Sequence, residues 1–571
     1  MSGQATGWRA WRAQLRWIAW GLVLHMPRMG TADWQWLDVL ALSGEWCVLV
    51  ALAGALGRRR GVGPALGCAW VGLLLLESVR LAGWLLTAAD PQLYDLAFLA
   101  RHLWVLMMDL WGPLQVAASL LALVLGVAGL CGLASWRLED VVADRRTARV
   151  AGVLTAACVG FGLLPWHIGA HWVSPAWVAN LVESRRTWQL TQASVAVDHY
   201  APLMDVEALQ HRPDIGLYVV ESYGRVLDTT PSLNASWRPL LDELSPGLIE
   251  QGWHMASGWA TAPVSGGRSW ISDATVMLGI SIRHQSTWSH IQPKVGTLTH
   301  LPGWLAASGG YETVVCRPKD RVRLGLALRN DFDWQHTVFA DDIPYDGPLV
   351  GWGGIPDQYS LGHLHTQVLP AVQGPRLVFF HGVSAHGPWD VVPELAHDWR
   401  AVGEVALQAV QGVDAVVYEE SENPDAVLKV QARRYSPTLG DRFKLPGRMF
   451  PEKRREYMNA VDYSLRATMA SLSLLPETPR GRLVVVYGDH QPPILPRKGE
   501  YDVPVHVLAS DPRLLDAFLD AGFVAGLHPD AESEAMPLEA LFPTLAAAVL
   551  GRPATEVPGG VSLADLLEAG P

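Results

Sequence analysis

Hydrophobic residues are concentrated in the first 170 residues, whereas the remainder alternates short apolar runs with polar stretches. Apolar runs of about 20 residues, the length that crosses a bilayer as a helix, cover residues 36–57, 64–88, 112–135 and 149–170. A weaker run extends from Leu15 to about Met29. Because these runs are long and consecutive, they predict five membrane spans in an all-α bundle rather than the core helices of a soluble domain.

Basic residues between the runs predict the orientation of this bundle. Three arginine clusters are present: Arg9, Arg12 and Arg16; Arg58, Arg59 and Arg60; and Arg137, Arg145, Arg146 and Arg149. Since such clusters favour the cytoplasmic side, five spans with the N-terminus inside accommodate all three and place the chain after about Ala170 outside. We interpret the stretch from Leu93 to Met108 as an interfacial segment; as a further span it would reverse the final orientation.

The rest of the chain has the pattern of a stalk followed by an α/β domain. Residues 171–212 have a mixed composition without a strand pattern and are predicted to be a stalk or linker. Beyond them, Ile215 to Val220, Leu377 to Phe380 and Leu483 to Tyr487 are short apolar runs of the buried-strand type, and Glu456 to about Leu474 has a helical pattern. We therefore predict a transmembrane domain at 1–170, a linker at 171–212 and a doubly wound α/β domain at 213–571.

Composition narrows the possible functions. Half of the 571 residues are apolar and the mean hydropathy is +0.15, which agrees with a membrane part beside a soluble one. Acidic residues exceed basic ones in the soluble part, which argues against nucleic-acid binding. Four of the five cysteines, Cys47, Cys68, Cys131 and Cys158, lie in the apolar region, so Cys316 has no disulfide partner within the soluble part.

Polar side chains of the metal-binding type follow three of the predicted strands. Glu221 follows the first strand, His381 and His386 follow the second, and Asp489 and His490 follow the third. Functional residues of doubly wound sheets lie just beyond the carboxyl ends of the strands, so these side chains are expected to converge. Two carboxylates and an imidazole suit Mn²⁺ or Zn²⁺ and can tolerate Mg²⁺.

A candidate nucleophile lies after a glycine-rich turn. The segment Ser265-Gly-Gly-Arg-Ser269 precedes a helical pattern, which places Ser269 at a helix N-terminus. Free backbone N–H groups and the positive end of the helix dipole favour an alkoxide and a phosphate there. The alternative is that Ser269 is simply a helix cap.

Together, Glu221, Gly-Arg-Ser269-Trp and Tyr487-Gly-Asp489-His490 resemble the lipoteichoic acid synthase-like branch of the alkaline phosphatase and sulfatase superfamily, and the five-span anchor resembles that branch too. The resemblance implies an alkaline phosphatase/sulfatase-like extracytoplasmic domain with one divalent metal, usually manganese. It assigns Glu221, Ser269, Asp489 and His490 to this metal, with Ser269 as the nucleophile.

The same resemblance implies further roles. Ala385-His386-Gly-Pro-Trp is similar to the family segment whose histidine contacts the substrate phosphate, and counting back from Asp333 points to Arg323 as a substrate-binding arginine, with Arg317 and Arg321 as neighbouring alternatives. The implied enzyme takes a phosphoglycerol-type group from a membrane phospholipid and passes it to a glycan or glycolipid. The implied location is a bacterial inner membrane, with the catalytic domain in the periplasm.

Departures from the family pattern leave several activities open. The nucleophile is Ser rather than Thr, and the Ser-Asp pair of the synthases occurs two residues later, as Ser272-Asp273. Phosphoethanolamine transferases share the five-span plan but usually carry a Thr nucleophile and several disulfides in the soluble domain. The pattern also allows a sulfatase or phosphodiesterase-type hydrolase of the same superfamily, or a non-catalytic protein on the same fold. Cys316-Arg-Pro-Lys-Asp320 begins like a sulfatase motif but has Asp where that motif needs Arg.

Overall fold

The structure is a computed structural model, and most of the chain is described by it. The described residues are 20–24, 26–27, 42–56, 61–87, 91–142, 149–150, 152–153, 155–156, 170–194, 198–204, 209, 211–321, 330–351, 353–387, 389, 392–404, 451–476, 478–493 and 500–557. Two compact units are present: Met1–Leu96 with Leu106–Arg186, and Ala97–Val105 with Thr187–Pro571.

Helices dominate the first unit and alternate with strands in the second. The α-helices are α1 (Gly44–Leu56), α2 (Val62–Thr87), α3 (Leu93–Val142), α4 (Ser174–Ser194), α5 (Ala201–Met204), α6 (Val226–Thr229), α7 (Pro231–Glu250), α8 (Ser269–Leu278), α9 (Gln285–Ile291), α10 (Leu301–Gly309), α11 (Asp357–His363), α12 (Pro451–Ser471), α13 (Asp516–Asp520) and α14 (Leu541–Leu550). The strands are β1 (Leu42–Ser43), β2 (Ala170–His171), β3 (Asp214–Val220), β4 (His254–Thr261), β5 (Glu312–Arg317), β6 (His336–Phe339), β7 (Arg376–His381), β8 (Arg482–Gly488), β9 (Asp502–Ala509), β10 (Val524–Ala525) and β11 (Met536–Pro537).

Two helical segments among the described residues are long and apolar enough to cross a membrane, Val62–Trp84 and Pro113–Trp136. They correspond to two of the five predicted spans. Within the run at 36–57, Gly44–Leu56 forms the shorter helix α1. The first predicted span and the one at 149–170 lie largely outside the described residues. Five spans therefore remain a prediction. The predicted interfacial stretch from Leu93 to Met108 is helical and continuous with the following span in α3.

Among the described residues, the second unit is built on a nine-stranded mixed sheet in the order β10-β4-β9-β8-β3-β7-β5-β6, with β11 pairing with β4. Strands β8, β3, β7, β5 and β6 are parallel to one another, whereas β9 runs antiparallel to both β8 and β4. The three apolar runs that the sequence pattern indicated are the adjacent strands β8, β3 and β7. Two clusters of buried apolar side chains cover the two faces of the sheet, so the predicted α/β sheet with layers on both faces is confirmed.

The register of the central strands determines which side chains meet at their carboxyl ends. Val219 of β3 lies opposite His381 of β7 and opposite Tyr487 of β8. The residues that follow β3 and β8 therefore emerge beside His381 at one edge of the sheet. This edge carries the candidate functional site.

A buried hydrogen-bonded histidine, His506, lies on β9. The Nε2 atom of His506 is 2.9 Å from the Tyr223 hydroxyl, and its Nδ1 atom is 2.8 Å from Ser257 Oγ. Ser257 Oγ in turn donates to the Gly526 carbonyl, so it can accept from Nδ1–H. Burial and the nearby His528 lower the pKa of His506 to about 3.

This histidine is expected to make stability depend on pH. The unfolded chain protonates His506 below about pH 6.5 and the folded protein only near pH 3, so its contribution is complete above pH 6.5 and is lost as the pH falls. Between pH 7 and pH 5 we expect wild type to lose about 2 kcal/mol more unfolding free energy than His506→Gln. Denaturant unfolding at both pH values measures this difference, and the exposed His254→Gln on β4 is the control that should keep the wild-type dependence.

Candidate active site and metal centre

Glu221 lies at the centre of a buried polar cluster. It follows β3 directly, and its carboxylate is fully buried. The carboxylate oxygens lie 3.1 Å from Lys319 Nζ, 3.3 Å from His381 Nε2 and 3.2 Å from His490 Nε2. Burial opposes ionisation of this side chain, but these cationic neighbours and His386 outweigh it and hold the pKa of Glu221 well below its usual range. Glu221 is therefore a buried carboxylate stabilised by positive charge.

Ser269 is the first residue of α8 and points its hydroxyl into this cluster. Its Oγ donates to Glu221 Oε2 at 3.1 Å and lies 3.3 Å from His490 Nε2. Arg268 occupies the cap position, where no side-chain cap hydrogen bond forms. Ser269 is thus not the helix cap, and its hydroxyl is held by acidic and imidazole groups at the positive end of the helix dipole.

Asp489 and His490 follow β8 and complete one side of the cluster. Asp489 Oδ1 accepts hydrogen bonds from the backbone N–H groups of Ser222 and His490, at 2.8 and 2.9 Å. Its other oxygen, Oδ2, is buried and makes no hydrogen bond within the described residues, although His490 Nε2 lies 3.1 Å away. Burial and the adjacent Glu221 carboxylate raise the pKa of Asp489.

His381, at the end of β7, also faces the two carboxylates. Asp273 of α8 holds its Nδ1 atom at 3.0 Å, while its Nε2 atom points at Glu221 and lies 3.8 Å from Asp489 Oδ2. Burial disfavours the imidazolium, but the carboxylates of Asp273 and Glu221 outweigh it and raise the pKa of His381 to about 10. Arg317 pairs with the remaining edge of Asp273 at 3.3 Å.

The donor set of this cluster fits a divalent cation. Atoms of Glu221, His381 and Asp489 lie within 4.8 Å of one another and all three side chains are buried. Two buried carboxylates this close repel each other unless positive charge lies between them, and Asp489 Oδ2 lacks a hydrogen bond within the part of the chain that the structure describes. Mixed oxygen and nitrogen donors of this kind suit Zn²⁺ or Mn²⁺. The residues present therefore agree with the metal that the sequence resemblance implies.

A buried aspartate braces the loop that carries the second histidine. Asp357, at the start of α11, accepts hydrogen bonds from the N–H groups of Val383 and Ser384 at 2.7 and 3.1 Å, and from the Ser464 hydroxyl. This fixes the loop between His381 and His386. His386 lies near enough to Glu221 for their charges to interact, and burial lowers the pKa of His386.

Two residues beside the cluster have left-handed backbone conformations. Ser222, next to Glu221, has φ of 57°, and Arg268, next to Ser269, has φ of 68°. Such values cost side-chain-bearing residues energy, and the surrounding structure must impose them. Hydrogen bonds impose the first, because Ser222 N–H donates to Asp489 and the Ser222 carbonyl accepts from the Tyr457 hydroxyl at 2.8 Å.

The structure brings together Glu221, Ser269, Asp489 and His490, the residues that the sequence assigned to a metal, and it places His386 near them. Arg323, the predicted substrate-binding arginine, lies outside the described residues. The neighbouring candidate Arg317 is engaged by Asp273.

Sequence reasoning missed Lys319 and Asp273 as members of the site, and it left His381 open. A signal for Lys319 was present, because it closely follows the apolar run of β5. A signal for Asp273 was its position four residues after Ser269, on the same face of α8.

No protein-family model matches the chain, and no curated protein matches it. Solved structures similar to it include the lipoteichoic acid synthase LtaP from Listeria monocytogenes, at 14% identity and a TM-score of 0.36 over 67% of this chain and 81% of that one. The phosphoglycerol transferase GacH of Streptococcus pyogenes, in complex with sn-glycerol-1-phosphate, is also similar. It matches at 12% sequence identity and a TM-score of 0.35, over 67% of this chain and 85% of that one.

A third similar structure is the integral membrane lipooligosaccharide phosphoethanolamine transferase EptA from Neisseria meningitidis. It matches at 12% identity and a TM-score of 0.43, over 93% of this chain and 96% of that one. At these identities and TM-scores the likeness assigns no activity, so the function has to be argued from the site.

Proposed function

We propose that the chain is a membrane-anchored, metal-dependent transferase that moves a phosphoglycerol-type group from a membrane phospholipid to an acceptor hydroxyl through an intermediate on Ser269. The observation that carries the proposal is the environment of the Ser269 hydroxyl, which hydrogen-bonds to Glu221 at the start of α8 within a buried cluster of carboxylates and imidazoles. A hydroxyl that merely caps a helix or packs in a core has no need of such neighbours.

In the first half-reaction, Ser269 Oγ attacks the phosphorus of the phosphodiester. An Oγ–P bond forms as Ser269 gives up its hydroxyl proton, and the bond from phosphorus to the diacylglycerol oxygen breaks. That oxygen takes up one proton and leaves as diacylglycerol, so the half-reaction neither gains nor loses protons. Glu221 Oε2 accepts the hydrogen bond of the serine hydroxyl at 3.1 Å and so orients its lone pairs. The N-terminus of α8 and the Lys319 ammonium place positive charge where the phosphoryl oxygens gain negative charge.

In the second half-reaction, an acceptor hydroxyl attacks the same phosphorus and releases Ser269. The acceptor proton must leave, and the Ser269 oxygen must regain one. His386, beside the cluster with a lowered pKa, is suited to contact the phosphate without adding a second fixed cation next to Lys319. A glycan or glycolipid would supply the acceptor hydroxyl, and water in its place would make the enzyme a hydrolase.

Glu221, Asp489 and His490 would hold one divalent metal, with His381 as a further donor nearby. When bound, this metal would lower the pKa of the serine hydroxyl and offset charge on the phosphoryl oxygens. Mn²⁺ is the first candidate because the sequence resembles a manganese-dependent family, and the donor atoms also suit Zn²⁺. Apolar helices α2 and α3 would anchor the enzyme in a bacterial inner membrane, near its lipid donor.

The proposal is tested by trapping the intermediate. We expect purified full-length protein with Mn²⁺ and head-group-labelled phosphatidylglycerol to give a phosphoglycerol adduct on the peptide containing Ser269, seen by intact-mass and peptide mass spectrometry. Ser269→Ala should give none. Ser245→Ala, which removes a hydroxyl from the distant helix α7, is the matched control and should form the adduct as wild type does.

Labelled phosphatidylethanolamine in a parallel reaction separates the two donor classes. An ethanolamine phosphate adduct instead of the phosphoglycerol one would assign the chain to phosphoethanolamine transfer. Metal-loaded protein that forms no adduct with either lipid would contradict the proposal.

A further inference from the structure

Helix α4 carries polar side chains on its inward face and aliphatic side chains on part of its exposed face. Asn180 and the buried Ser184 lie inward beside the buried Trp177, while Val178, Leu181 and Val182 are exposed. Helices of water-soluble domains show the opposite pattern, with the apolar face inside. Exposed aliphatic side chains on such a helix are stabilised when they lie in an apolar environment.

The inward polar groups of α4 form hydrogen bonds at the N-terminal end of α3. Asn180 Oδ1 accepts from the Leu93 N–H at 3.0 Å, and Asn180 Nδ2 donates to the Pro91 carbonyl at 2.8 Å. One turn later, Ser184 Oγ accepts from the Tyr94 N–H at 3.3 Å. These bonds satisfy the first N–H groups of α3, which have no partner within a helix, and fix the middle of α4 against the start of α3.

The first residues of α4 are fixed against the start of α1. The Glu45 carboxylate accepts from the Val173 and Ser174 N–H groups at 2.6 and 2.7 Å and from the Ser174 hydroxyl. Trp172 packs against Gly44, where an added Cβ would lie 2.3 Å from its ring. The beginning of α4 therefore lies beside the N-terminal end of α1.

These two anchor points are at the same predicted depth in the membrane. The arginine cluster at residues 58–60 follows α1 and precedes α2, which puts the start of α1 and the start of α3 on the opposite, outer side. Ser174 touches the first of these ends and Ser184 the second, about 15 Å further along the helix. A helix fixed at both points runs along the outer surface of the membrane rather than away from it.

The exposed apolar residues of α4 resemble the lipid-facing side of a membrane helix. Val178, Leu181 and Val182 are 60%, 56% and 64% exposed, as Leu121 is in the apolar part of α3 at 60%. By contrast, Glu183 lies on the other exposed edge, about 160° around the helix from Leu181. Arg185 follows Leu181 and Arg186 follows Val182 by one turn, and these long side chains can reach lipid phosphates from an apolar surface.

We propose that the first part of α4, residues 174–186, lies flat in the outer lipid–water interface, with Val178, Leu181 and Val182 among the acyl chains and Glu183 facing water. Lipid is the occupant because the exposed apolar edge begins at the outer ends of membrane helices. This differs from the stalk predicted for residues 171–212, since these residues then run along the bilayer. The inference rests on the membrane anchoring in the proposed function and not on the chemistry at Ser269.

The test is site-specific photocrosslinking in the full-length protein. Leu181→p-benzoylphenylalanine and Val182→p-benzoylphenylalanine are compared with Glu183→p-benzoylphenylalanine in vesicles of phosphatidylglycerol and phosphatidylethanolamine. After irradiation, mass spectrometry of the labelled peptide should show phospholipid adducts at positions 181 and 182 and none at position 183. The thermal unfolding temperature of each variant is first compared with that of wild type. If the variant at position 181 or 182 unfolds at a lower temperature, Val178→p-benzoylphenylalanine is used in its place.

Three outcomes would overturn the inference. Absence of phospholipid adducts at the apolar positions would place this edge in water. A crosslink to a second copy of the chain or to another protein would make the edge a protein interface. Equal lipid adducts at position 183 would mean that α4 is not oriented by its apolar edge. None of these readouts depends on transfer activity, so failure of the proposed chemistry would be seen separately.

Discussion

Glu221→Gln is expected to abolish metal binding and transfer while leaving the chain folded. The substitution keeps the shape of the side chain but removes the charge that faces Lys319, His381 and His490. We expect Mn²⁺ affinity to fall by at least about a hundredfold, more than the loss of an outer partner of a metal ligand costs. Mn²⁺ titration calorimetry measures the affinity, and the labelled-lipid assay measures transfer.

The matched control is Glu312→Gln on β5, which removes a partly exposed carboxylate from the same sheet, where its Oε2 atom lies 3.0 Å from His336 Nε2. It should bind Mn²⁺ with wild-type affinity. If Glu221→Gln bound Mn²⁺ as tightly as this control, Glu221 would not be a metal ligand.

Gly488→Ala is expected to have the largest effect on stability. Gly488 ends β8, and an added Cβ would lie 1.9 Å from the carbonyl oxygen of Tyr223, a backbone atom that has no rotamer to escape into. The end of β8 must then move away from the turn after β3, and Asp489 moves with it. We expect the unfolding free energy to fall by about 3 kcal/mol or more, measured by denaturant unfolding of the purified protein.

Gly247→Ala provides the comparison, because Gly247 lies in helix α7 with nothing within 4 Å of the added Cβ. Alanine there should be neutral or more stable by up to about 1 kcal/mol, since it loses less backbone entropy than glycine in a helix. Equal stability of the two variants would mean that the turn after β3 accommodates a side chain at Gly488.

The centre of the fold could be predicted because its strands are buried on both faces. Strands β3, β7 and β8 are continuous apolar runs, and residues just past the ends of adjacent parallel strands must meet at one edge. That reasoning was enough to group Glu221, Asp489 and His490. The antiparallel strand β4 was not foreseen, because its sequence, His254 to Thr261, mixes small, polar and aromatic residues and lacks a clear period.

The missed site residues depend on the tertiary structure rather than on local pattern. Lys319 reaches Glu221 from the loop after β5, a segment first compared with a sulfatase motif because of Cys316. Asp273 contacts His381 only because α8 packs against the end of β7 in the folded domain. Neither contact follows from spacing along the chain. The sequence shows only that Lys319 follows a strand and that Asp273 shares a helix face with Ser269.

The left-handed residues Ser222 and Arg268 imply that this protein gives up some stability to keep its site in a fixed geometry. Glycine at either position would adopt the same backbone without strain, yet it would also let Glu221 or Ser269 wander from its neighbours. The native residues keep Glu221 and Ser269 in place, and contacts elsewhere in the domain must offset the backbone strain. Selection for heat resistance alone would therefore be expected to erode the geometry at these positions first.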